Sequence, residues 1–69
     1  MAKTREEELI EFVKNNIKLK RWDQAKENLL LLSILKEVKP GNREFAKSAK
    51  QALEAGRLEM ALEFIQSFK

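Results

Sequence analysis

Apolar side chains recur along this chain at steps of three and four, the spacing that lines one face of an α-helix, and nowhere alternate as a strand requires. Leu9, Ile10, Val13 and Ile17 form a first stripe, with Phe12 at its edge. A second begins near Trp22 and runs through Ala25, Leu29, Leu31, Leu32, Leu35 and Val38, apolar on more than one side, which predicts a central helix packed by several neighbours. Phe45, Ala49, Ala52 and Leu53 make a third, mostly of small residues that admit a close neighbour. Leu58, Ala61, Leu62, Ile65 and Phe68 make the fourth. Residues at the boundaries agree. Thr4-Arg5-Glu6-Glu7 has the form of a capping box, in which the Thr4 hydroxyl and the Glu7 carboxylate each satisfy a free backbone donor. Glu6, Glu7, Glu8 and Glu11 then precede Lys14, Lys18 and Lys20, the order that complements a helix dipole. Lys39-Pro40-Gly41-Asn42 breaks the chain, with Asn42 placed to cap a third helix running from about Arg43 to Ala55, and Gly56 suits a left-handed helix end. The reading is an all-α fold: four short antiparallel helices as two tandem helix-turn-helix hairpins, about 4–38 and 42–68, within one domain. A compact three- or four-helix bundle is the alternative.

The two halves resemble each other. Lys20-Arg21-Trp22-Asp23-Gln24-Ala25 aligns with Gly56-Arg57-Leu58-Glu59-Met60-Ala61, and Leu29 and Leu32 then align with Ile65 and Phe68. Over residues 40–68 above all, the chain resembles a tetratricopeptide repeat: Phe45, Ala49, Gly56, Leu58, Ala61 and Ile65 match, in order, that family's early aromatic, small residue, turn glycine, bulky residue, alanine and apolar tail. The first half departs from the pattern, with Lys20 at the turn glycine and Val13 at the small residue. The resemblance implies a concave groove lined by the first helix of each hairpin, here Glu7, Ile10, Lys14, Ile17 and Lys18 with Arg43, Ala46, Lys50, Leu53 and Glu54. It further implies that the cations among them, Lys14, Lys18, Arg43 and Lys50, hold an acidic or carboxylate-ended peptide through charge-assisted hydrogen bonds.

Composition narrows the chemistry. A chain of 69 residues buries a modest core, and with no Cys and no His it has neither disulfides nor the commonest metal ligands to reinforce it. Packing, or association with another copy, must supply the stability. The acid-rich start lacks the apolar segment of a signal peptide, and the apolar run from Leu29 to Leu35 is far short of the roughly 20 residues that span a bilayer, so a cytoplasmic protein is expected. The net charge of +3 is spread among interleaved acids and bases, the pattern of a solvated helical surface. Ser33, Ser48 and Ser67 sit inside helical stretches without a base beside them, and read as small packing residues. The carboxylate pairs Glu7 with Glu11 and Glu59 with Glu63 read as solvated surface. No enzyme, cofactor or metal is expected.

The function expected is therefore a non-enzymatic protein-interaction module or adaptor. Two alternatives remain open: a designed or reconstructed scaffold whose property is to fold, and a small nucleic-acid-binding protein using Arg43, Lys47 and Lys50. Trp22 is expected in the core, as the counterpart of Leu58. Met60 and Phe64 lie off the stripe of the fourth helix and, with Phe68, predict self-association about a two-fold axis; the competing expectation is that Met60 and Phe64 fold back on the second helix, where Leu30 and Ile34 are also surplus.

Overall fold

The computed structural model describes residues 3–68, which form four helices: α1 Arg5–Lys18, α2 Trp22–Ile34, α3 Pro40–Glu54 and α4 Leu58–Gln66. The protein is all-α, with no strand among the described residues. α1 begins as its capping box dictates. The Glu7 amide donates to Thr4 Oγ1 at 3.1 Å and the Thr4 amide donates back to Glu7 Oε1 at 3.2 Å. That backbone donor, reinforced by the Thr4 hydroxyl, holds the Glu7 carboxyl below its ordinary pKa.

The two hairpin turns are conformational copies. Lys20 and Gly56 both adopt the left-handed conformation, with φ of 60° and 75°. Around each, the amide two residues past the C-cap reaches back across the last turn, Arg21 to the Asn16 carbonyl at 2.7 Å and Arg57 to the Ala52 carbonyl at 2.8 Å. The preceding amides, of Lys20 and Gly56, bond the Ile17 and Leu53 carbonyls. Both therefore close as Schellman motifs, which satisfy the orphan carbonyls of α1 and α3.

Between the hairpins the boundaries differ from the sequence expectation. α2 ends at Ile34, short of Leu35 and Val38. A helix continued to Val38 would leave one residue to reverse the chain before Pro40. Val38 is instead a loop residue anchored in the core, 1% exposed. α3 starts at Pro40, three residues before Arg43, because a proline's fixed φ and missing amide hydrogen suit the first helical position. Asn42 is consequently inside the helix and not its N-cap, which is Lys39. Its buried side chain donates to Glu6 Oε2 at 2.7 Å, and the same oxygen accepts the Lys39 amide at 3.1 Å. Glu6, only 7% exposed, thus supplies from α1 the carboxylate that α3 lacks at its own start.

α2 packs against α1 and α3, α3 against α4, and α4 closes narrowly on α1; no Cα of α1 comes within 8 Å of one in α3, nor does α2 so approach α4. The core gathers Leu9, Ile10, Val13, Leu29, Leu32, Val38, Ala46, Ala49, Ile65 and Phe68. Burial itself repeats at the offset of the sequence repeat. Glu6 and Asn42, Ile10 and Ala46, Val13 and Ala49, Ala25 and Ala61, Leu29 and Ile65, and Leu32 and Phe68 are all buried pairs at equivalent positions.

Candidate functional site

The four cations of the expected groove have different environments. Lys14 and Lys18 are exposed on the second half of α1, without an ion pair among the described residues. Lys50 is half-buried and paired with Glu54 one turn on, at 3.2 Å. Arg43 is half-buried in the first turn of α3, and its Nε is a buried donor with no partner among the described residues. It lines a polar cleft of about 270 Å³ with Ser33, Pro40, Glu44 and Lys47. The backbones of α1 and α3 do not come together, so these cations stand on helices that are not packed side by side. Four residues named as groove-lining are otherwise employed: Ile10 and Ala46 are buried in the core, and Ile17 and Leu53 are half-buried against it. Small and apolar residues at a crossing of helices are drawn inward whichever face the repeat pattern gives them.

The residues expected to mediate self-association also separate. Phe68 is 8% exposed and belongs to the core. Phe64 is half-buried, its ring 6.4 Å from that of Phe45 on α3. Only Met60 is open, at 42%. Met60 and Phe64 line a shallow cleft with Ser48, Gln51 and Ala52 of α3. Trp22 is half-buried and lines an apolar cleft of about 300 Å³ with Lys26, Leu53, Gly56 and Leu58. Leu58, placed on the core stripe by its spacing, is 40% exposed as the first residue of α4, where no further helix covers it.

The outer side of the first hairpin carries further exposed apolar residues. Phe12 on α1 and Leu19 at its C-cap, seven residues apart, and Leu30 and Ile34, four apart on α2, are all exposed. The signal was present in the spacing, because each pair shares one helix face and falls off the buried stripe. Ser33 and Ser67 donate to the carbonyls of Leu30 and Glu63 at 2.6 and 2.9 Å, so their hydroxyl hydrogens are engaged by the backbone. No helix is long and apolar enough to cross a membrane among the described residues.

These features define a class, a small all-helical domain of two hairpins with exposed apolar and cationic positions. Compared with protein-family models, curated proteins and solved structures, the chain matches none.

Proposed function

We propose that this chain is a non-enzymatic protein-interaction module, and that it takes an acidic peptide segment with Arg43 at the centre of the contact. The observation that carries this reading is the Arg43 guanidinium, whose buried Nε lacks a partner and whose side chain lines an open polar cleft. A donor removed from water and left unpaired costs free energy that an incoming acceptor recovers. A carboxylate suits it best, because the planar guanidinium offers parallel donors to two oxygens, and Lys47 on the cleft wall adds a second positive charge. Lys50, committed to Glu54, and Lys14 and Lys18, on the second half of α1 and not among the residues of the Arg43 cleft, are secondary in this reading.

The test is an anisotropy titration of a fluorescent Glu- and Asp-rich peptide at low salt. Saturable binding is expected, weakened about tenfold or more by Arg43→Lys, which keeps the charge and loses the fork, and unaffected by Lys14→Ala. An affinity insensitive to Arg43→Lys removes the assignment. If the peptide fails to bind while a DNA duplex binds with steep salt dependence, the nucleic-acid reading through Arg43, Lys47 and Lys50 takes its place.

A further inference from the structure

The equivalence of the two hairpins extends outward from the core, and it ends on an uncovered face. On α2, Trp22 and Lys26 flank the buried Ala25 and Leu29 and are met by the neighbouring hairpin, since both share a cleft with Leu53 of α3. Their equivalents on α4 are Leu58 and Leu62. Among the described residues α4 packs on α3 and narrowly on α1 and on no other helix, and Leu58 opens into the same cleft as Trp22. Leu58 is 40% exposed and Leu62 half-buried, and the exposed Glu59 and Glu63, the only charges of α4, stand one turn apart beside them.

A surface complementary to that face is carried by the same chain. α1 is the equivalent of α3, with Ile17 in the position of Leu53, Lys14 in that of Lys50 and Lys18 in that of Glu54. After Glu11 its only charges are Lys14 and Lys18, both exposed. None of Lys14, Lys18, Glu59 and Glu63 forms an ion pair among the described residues. We propose that a second copy of this chain docks its α1 onto α4 in the way α3 docks onto α2, so that copies stack head to tail. Antiparallel docking sets Lys18, at the end of α1, against Glu59, at the start of α4, and Lys14 against Glu63. Ile17 of the incoming copy then meets Leu58 as Leu53 meets Trp22. Two exchanges make this contact better matched than its internal template: Leu62 replaces Lys26 on the receiving helix, and Lys18 replaces Glu54 on the incoming one.

Such a contact uses different surfaces on the two copies, so it does not close at the dimer. The average mass of the parent is expected to rise past that of a dimer in light scattering from micromolar to millimolar concentration, and to fall with added salt. Lys14→Glu with Lys18→Glu, and separately Glu59→Lys with Glu63→Lys, change only exposed side chains, and each pair is expected to weaken association about tenfold or more. Combining all four changes restores the pairing with its signs exchanged, and association is expected to return. Melting curves of the variants verify that each is folded, and should one not be, Lys18→Glu against Glu59→Lys with their combination repeats the comparison at a single pair. A parent that remains monomeric at millimolar concentration overturns the proposal. So does a Lys14→Glu, Lys18→Glu protein that associates like the parent, the result expected of two-fold pairing through α4, and so does a combined variant no better than either half.

Discussion

Lys20 is the one described residue other than glycine with a positive φ, and it occupies the turn position that Gly56 holds in the second hairpin. An L side chain in the left-handed conformation brings Cβ against the following carbonyl, at a cost of roughly 1–2 kcal/mol, part of which glycine returns through the greater freedom of its unfolded chain. Lys20→Gly is expected to stabilise the protein by about 0.5–1 kcal/mol. The reverse change, Gly56→Ala, should destabilise it by about 1 kcal/mol through the backbone alone, since a Cβ there meets no atom within 4 Å. Urea midpoints of the two variants would measure both; a lower midpoint for Lys20→Gly would show that the left-handed geometry is not what limits the first turn.

At the scale of elements, the helix ends are satisfied in several ways, and the most informative one is not local. α1 is capped by its own Thr4 and Glu7, and α1 and α3 both finish in Schellman turns, but the start of α3 depends on Glu6, 33 positions before Lys39. Truncating Glu6 leaves the buried Asn42 amide and the Lys39 N–H without the acceptor they share, so Glu6→Ala is expected to cost about 1–3 kcal/mol. Asn42→Ala alone should cost a comparable amount, and the Glu6→Ala, Asn42→Ala double variant less than the two together, because both changes remove the same hydrogen bond. Denaturant melts of the four proteins close the cycle. Strict additivity would mean that the two side chains do not act as a unit.

The whole molecule is limited by how closely its helices approach. Ala49 and Ala61, at the matching small positions of the two helices of the second hairpin, are wholly buried, and each lacks room for a longer side chain without moving a neighbour. Ala49→Leu or Ala61→Leu should destabilise the fold by about 1–3 kcal/mol, which in a domain of this size is a large part of the total. Thermal melting should fall by several degrees for each, while Gln51→Leu, on the exposed side of α3, should leave it nearly unchanged. A melting point for Ala61→Leu at or above that of the parent would contradict the tight crossing.

Much of this was legible in sequence, for a definite reason: the four stripes, the Thr4 to Glu7 capping box, the two turns and the offset between the hairpins all rest on residues within one or two helical turns of each other. Local spacing determines which face of a helix is apolar, and local chemistry determines where many helices begin and end. What required the tertiary structure was every question of neighbours. A buried Glu6 and a solvated Glu8 carry the same side chain in the same helix turn, and only the arrival of α3 distinguishes them. The same holds for Val38, read as helix and found as a loop anchor, for Ala46, drawn from the expected groove into the core, and for Leu58, left open where its counterpart Trp22 is partly covered. Periodicity says that a face will be buried if something packs on it; whether anything does is decided by helices far apart in the chain.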